Sequence, residues 1–148
     1  MRYALIVFCF VFFVPAFAQQ DSLSVYVFIS KSQNTVEKEG ALKFANKAYE
    51  ISKKFGLTTQ VDAGQNLFRT QLKFNEKYNG LRTYFELNTL LNQRERWEDL
   101  IANYQIIGQY YKSQKLYSNA IQQLEKVDLL AIEKSIDIDF WQNTIIQR

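Results

Sequence analysis

The sequence has no histidine, and it contains a single cysteine, Cys9, and a single proline, Pro15. Without histidine, no side chain titrates near neutral pH at its ordinary pKa, and the commonest protein metal ligand is missing. Zinc sites built from histidine and cysteine are therefore excluded, as are Ser-His and Cys-His nucleophilic pairs. The scarcity of proline and glycine also removes the residues that most often interrupt helices.

The only cysteine and the only proline both lie in a segment that has the features of an export signal. Arg2 supplies the positive start, residues 4–14 are almost continuously apolar, and small residues at Ala16 and Ala18 suit a signal peptidase. The apolar run is shorter than the roughly 20 residues that a membrane-spanning helix needs. We therefore expect residues 1–18 to be a signal peptide and the protein to be exported, either to a periplasm or out of the cell.

The charges of the chain are nearly balanced, with 18 lysines and arginines against 15 aspartates and glutamates. A nucleic-acid-binding protein usually carries a basic stripe or patch, and this sequence has none. We expect no nucleic-acid partner, no metal, no cofactor and no membrane contact by the mature segment. Because that segment contains no cysteine, it must be held together by packing alone.

Apolar residues recur with helical spacing along the mature chain, for example at Ala41, Ala45 and Ala48. Gly56 follows this series at a position typical of a helix C-cap glycine. Residues 24–29 are β-branched and aromatic, and alone they would indicate a strand. No second strand-like run could pair with them, so we interpret them as helix as well. The sequence thus predicts an all-α fold.

One spacing pattern recurs about every 40 residues, a period typical of helical arrays. In its clearest copy, larger residues surround two small ones at helical spacing: Tyr104, Ile107, Gly108, Tyr111, Tyr117, Ala120, Leu124 and Val127. Small residues allow two helices to approach closely, and the larger ones fill the space around the contact. The pattern therefore predicts antiparallel helix hairpins that pack on their neighbours.

This pattern resembles the tetratricopeptide repeat, in a longer variant of about 40 residues. The resemblance implies an α-solenoid of antiparallel hairpins over residues 19–148. Its repeats would span about 22–56, 59–93 and 97–134, with the start of a fourth at 138–148. The second copy departs from the family pattern, because Arg69 and Leu81 replace small residues and Asn88 replaces the usual alanine.

The resemblance also implies a function, that of a non-enzymatic scaffold which binds a protein or peptide partner in the concave groove of the array. The first helix of each hairpin would line that groove. By phase, Tyr26 and Ser30 would face it in the first repeat, and the later groove candidates are Asn66, Thr70, Lys73, Gln105, Gln109 and Lys112. Amides and hydroxyls can hydrogen-bond an extended peptide, and lysines favour acidic groups.

The best-known members of this family clamp a C-terminal carboxylate, and that activity is not expected here. The corresponding positions carry unsuitable residues: Tyr26, Ser30, Leu67, Ala102 and Ile106. Apolar residues in helical phase continue to Trp141 and Ile146. This last helix is either the cap of the array or the start of a fourth repeat in a longer protein, and we favour the second, with further repeats or a transmembrane segment beyond Arg148. Exported arrays of this family in Gram-negative bacteria often form the sensory portions of membrane regulators. The alternative function is therefore an N-terminal periplasmic sensory fragment of a histidine kinase or DNA-binding regulator.

A third hypothesis is an enzyme that uses paired carboxylates, either Glu95 with Glu98 or Asp137 with Asp139. Such pairs perform acid/base chemistry only where burial separates their pKa values. Because these residues lie in charged segments that we expect to be exposed, we assign no catalytic residue.

Overall fold

The computed structural model describes residues 22–137, and within that range the chain forms six α-helices and no strand. The helices are α1 (residues 22–34), α2 (Lys38–Ser52), α3 (Leu57–Lys73), α4 (Lys77–Gln93), α5 (Trp97–Ser113) and α6 (Tyr117–Lys134). The all-α prediction is confirmed, including the helical interpretation of residues 24–29. The predicted signal peptide and the predicted fourth repeat, 138–148, lie outside the described residues. None of the described helices combines the length and apolar character needed to cross a bilayer.

The chain divides into two compact units, Met1–Phe74 and Asn75–Arg148. The described part of the first unit contains α1, α2 and α3, and that of the second contains α4, α5 and α6. The boundary falls inside the residues predicted as the second repeat, 59–93.

In the first unit, α2 packs against α3, and α1 packs against both of these helices. The core contains Val25 of α1, Ala45 and Ala48 of α2, and Ala63 and Leu67 of α3. The alanines allow the helix backbones to approach closely, because they place no bulk between them. The rings of Phe28 and Phe44 stack beside this core with centroids 6.2 Å apart.

In the second unit, α5 and α6 form the close hairpin that the small residues predict. A Cβ atom added to Gly108 would lie 3.5 Å from Leu124 Cδ2 and 3.6 Å from the Ala120 carbonyl oxygen. Ile107, Ala120 and Val127 are buried at this contact. The predicted close approach of Gly108 to Ala120 is thus formed, with Leu124 against it.

The larger members of that set are less enclosed. Tyr104 is partly buried, with Lys126 Nζ 5.6 Å from its ring centroid, and Tyr111 is also partly buried. Tyr117 is 60% exposed and Leu124 is 45% exposed. Leu124 nevertheless reaches α5, because its Cδ2 atom lies against Gly108.

From α3 onwards the helices begin at residues 57, 77, 97 and 117, a regular spacing of 20. Each is followed by one left-handed residue, and these are Asn75, Glu95, Lys115 and Ser135, with φ of 62°, 52°, 59° and 56°. At Lys115 the next amide, Leu116 N–H, donates to the Tyr111 carbonyl at 2.9 Å, while Lys115 N–H donates to the Lys112 carbonyl at 3.0 Å. This is the Schellman motif, which satisfies the last carbonyls of a helix. Two helices with two such turns account for the period of about 40 residues.

The predicted C-cap role of Gly56 is wrong. The structure places Gly56 at the N-cap of α3, with φ of −62°, and α2 ends instead at a right-handed Lys53. No left-handed residue is required there, so the conformational freedom of glycine is not used at this turn.

A buried polar pair joins α4 to α5. The side-chain Nδ2 of Asn103 donates to Oδ1 of Asn88 at 2.8 Å, and both residues are buried. A polar residue at position 88 is tolerated because its oxygen has a donor, whereas an unmatched buried amide is costly.

We expect Asn103→Leu to lower the free energy of unfolding by about 1–3 kcal/mol, because Asn88 would keep a buried oxygen without its donor. The double substitution Asn88→Leu/Asn103→Leu should recover part of that loss, since an apolar pair needs no partner. Urea denaturation followed by circular dichroism measures both values. The exposed Asn119→Leu is the control and should stay within about 0.5 kcal/mol of the wild type. Equal stabilities of Asn103→Leu and the control would contradict this role for the pair.

Candidate functional site

The first unit contains a pocket of about 230 Å³ between α1 and α3. Two of its lining residues come from α1 and the rest from α3 and the residue after it: Ser32, Gln33, Asn66, Arg69, Thr70, Lys73 and Phe74. Three groove candidates predicted from the sequence, Asn66, Thr70 and Lys73, are therefore brought together here. Their spacing of four and three residues places them on one face of α3.

Two hydroxyl groups form the floor of the pocket. Ser32 Oγ lies 3.3 Å from Thr70 Oγ1, and the two residues are 2% and 7% exposed. Thr70 Oγ1 also donates to the backbone carbonyl of Asn66 at 2.8 Å. Because a threonine hydroxyl has one hydrogen, Ser32 must then be the donor in the pair with Thr70. Both hydroxyl hydrogens are consequently used within the floor.

The side chain of Asn66 is the least satisfied polar group of the pocket. Asn66 is 6% exposed, and its Nδ2 has no hydrogen-bond partner among the described residues. An unmatched buried N–H costs about 1–3 kcal/mol, so native proteins keep few of them. The Asn66 amide is therefore a donor that a water molecule or a bound group in the pocket can use.

The rim of the pocket carries two positive charges on successive turns of α3, at Arg69 and Lys73. Although Arg69 is an exposed residue, its surroundings partly desolvate its guanidinium and lower its pKa from the ordinary value. The group still stays protonated at neutral pH, as arginine does throughout proteins. Lys73 is exposed, and its Nζ lies 5.2 Å from the ring centroid of Phe74.

The remaining groove candidates lie elsewhere. Gln105, Gln109 and Lys112 share one face of α5 in the second unit, where Gln105 is partly buried and the other two are exposed. In α1, Tyr26 donates to Asp62 Oδ2 at 2.9 Å, and Ser30 accepts from Asn34 Nδ2 at 3.3 Å. Neither Tyr26 nor Ser30 lines the pocket.

Sequence reasoning missed four lining residues, namely Ser32, Gln33, Arg69 and Phe74. A signal for Ser32 was present, because it precedes Thr70 by 38 residues, which is close to the repeat period. In the sequence, Arg69 differs from the family pattern, but that difference does not indicate a position at a pocket. Its position one turn before Lys73 is the feature that places it on the rim.

The described residues, 22–137, include no group of three or more acidic, histidine or cysteine side chains that could hold a metal ion. Glu95 and Glu98 are both exposed, and so is Asp137. Asp139, the partner proposed for Asp137, lies outside the described residues.

Comparisons with protein-family models, with curated proteins and with solved structures find no match to this chain. The tetratricopeptide resemblance therefore stays a prediction from residue spacing. The pocket has to be interpreted from its own geometry.

We expect Asn66→Leu to leave the free energy of unfolding unchanged or to raise it, because the substitution removes a desolvated amide that has no partner. This is the opposite sign from Asn103→Leu, in which a partnered buried amide is lost. Urea denaturation of the two variants side by side makes the comparison. A loss of more than about 1 kcal/mol in Asn66→Leu would mean that the amide has a stabilising partner inside the protein.

Proposed function

We propose that this chain is a non-enzymatic protein-interaction module that binds an extended peptide segment of its partner across α1 and α3. The observation that carries the proposal is the pocket in which Asn66 is buried without a partner, beside Thr70 and Lys73. Main-chain carbonyls and polar side chains of a peptide would supply the acceptor that Asn66 lacks. The tetratricopeptide resemblance supports the same proposal, since that family binds partners on the first helices of its hairpins.

The size of the pocket favours a peptide over a whole cofactor or metabolite. Its volume is about 230 Å³, whereas small-molecule sites usually enclose about 300–1,000 Å³. A pocket of this size accommodates one side chain and the backbone next to it. By equivalence in the repeat, we assign the face of α5 with Gln105, Gln109 and Lys112 as a second contact surface.

The exposure of Glu95 and Glu98 supports a non-enzymatic role. A carboxylate pair acts as acid and base when burial, or the charge of one carboxylate on the other in a water-free site, separates their pKa values. Because Glu95 and Glu98 are both exposed to solvent, neither condition is met.

Selection from a library of random linear peptides displayed on phage tests the proposal. We expect enriched sequences whose synthetic versions bind the purified protein, as measured by fluorescence polarisation. Asn66→Leu should weaken that binding by at least about tenfold, which corresponds to about 1.4 kcal/mol. Because this variant is expected to fold normally, the loss would report on the pocket itself. Asn119→Leu serves as the matched control, and its affinity should equal that of the wild type.

Two results would contradict the proposal. One is the absence of any enriched peptide after selection on the folded protein. The other is a set of peptides whose affinity is the same for the wild type and for Asn66→Leu.

The proposal includes export, with cleavage of the signal peptide after Ala18. N-terminal sequencing of the protein recovered outside the cytoplasm should then begin at Gln19. Recovery of the intact Met1 terminus from the cytoplasm would contradict export.

A further inference from the structure

The pocket between α1 and α3 has more free hydrogen-bond donors than free acceptors. The hydroxyl hydrogens of Ser32 and Thr70 are already used within its floor. The donors left over are Nδ2 of Asn66, the guanidinium of Arg69 and the ammonium of Lys73, while the exposed amide of Gln33 offers both a donor and an acceptor. Arginine and lysine have no acceptor to offer in return. A group that fits this pocket must therefore be rich in acceptors.

The charges point to the same kind of group. None of the seven lining residues is acidic, and neither Arg69 nor Lys73 forms an ion pair with any residue between 22 and 137. The two cations lie four positions apart on α3, and like charges at that spacing repel each other. Asp62, an acidic residue earlier on the same helix, already accepts a hydrogen bond from Tyr26. An anion bound between the two cations would relieve their repulsion.

The lining of the pocket suits a carboxylate at the end of a short apolar stem. Phe74 gives the pocket an apolar wall beside Lys73. Methylene groups can lie against such a ring while the carboxylate reaches the cations. A guanidinium can also hold both carboxylate oxygens at once, which a single ammonium cannot do.

We infer that this pocket selects an acidic side chain, the carboxylate of an aspartate or glutamate within the bound peptide. This inference rests on the proposed function, because it names the residue type that the peptide places in the pocket. Asn66 donates to one carboxylate oxygen, and Arg69 and Lys73 neutralise its charge.

The test is a titration of the ¹⁵N-labelled full chain with N-acetylglutamate N-methylamide, in which both peptide ends are blocked. The matched probe is N-acetylglutamine N-methylamide, which has the same shape and no charge. We expect the glutamate probe to shift the side-chain amide signals of Asn66 and to bind at least about tenfold more tightly than the glutamine probe.

Substitutions of the two rim cations test whether the preference for the glutamate probe arises at this pocket. Arg69→Gln and Lys73→Gln should each weaken binding of the glutamate probe several-fold. Lys54→Gln, which removes an exposed lysine from the turn after α2, should leave it unchanged. Because both rim cations are exposed, their substitution is not expected to prevent folding. Binding should also weaken as sodium chloride is added, since salt screens the attraction.

Three outcomes would overturn the inference. The first is equal affinity for the glutamate and glutamine probes. The second is tighter binding of N-acetylalanine, whose only carboxylate is a chain terminus. The third is tighter binding of inorganic phosphate, which would make the pocket a site for another anion.

The phage-selected peptides separate this inference from the proposed function. If phage-selected peptides bind in the pocket but changing their acidic residues to amides has no effect, the acidic selection fails and peptide binding stands. If no peptide is selected at all, the proposed function fails, and the inference fails with it.

Discussion

The contact between α1 and α3 is the interaction on which the rest of the first unit depends. Val25 closes the core from the α1 side, and two hydrogen bonds, Tyr26 to Asp62 and Ser32 to Thr70, fix the register. These bonds join residues 36 and 38 positions apart, so the two helices meet at about the spacing of the sequence repeat. The same contact creates the pocket. With the Thr70 hydroxyl committed to a backbone carbonyl and to Ser32, the amide of Asn66 is left without a partner.

Much of the fold could be predicted from sequence, because it follows from apolar spacing and from the lack of proline after Pro15. The hairpin at Gly108 and Ala120 is the clearest case, since a close approach of two helices leaves little choice of residue. The turns could not be predicted in the same detail. Glu95 and Lys115 are left-handed without the glycine that usually marks that conformation, and Gly56 is glycine without being left-handed. At Glu95 and Lys115 the hydrogen bonds of the turn outweigh the preference of these residue types against the left-handed conformation.

The site could be predicted only in part. Helical phase was enough for Asn66, Thr70 and Lys73, because they share one face of α3. It was not enough for α1, where Ser30 was expected in the groove and Ser32 lines the pocket. Which residue of one helix faces the next depends on their crossing angle, and the repeat period does not specify that angle. The missing partner of Asn66 is likewise a property of the packed structure, since it depends on where every neighbouring acceptor lies.

Stability and the proposed binding role make opposite demands at this pocket. An apolar side chain at position 66 would remove a desolvated amide, and an acid at position 69 or 73 would remove the repulsion between two cations. The chain has neither, and the proposed binding role would account for both departures from the most stable choice. Proteins commonly accept such local costs at functional sites.

The pocket exists only if α1 and α3 lie side by side with Ser32 against Thr70. An isotope-edited nuclear Overhauser experiment tests it most directly, with the methyl group of Thr70 as the observed signal. We expect a cross-peak from this methyl group to the β protons of Ser32, alongside core cross-peaks between Val25 and Ala45. Core cross-peaks without any signal between Ser32 and Thr70 would contradict the pocket and everything inferred from it.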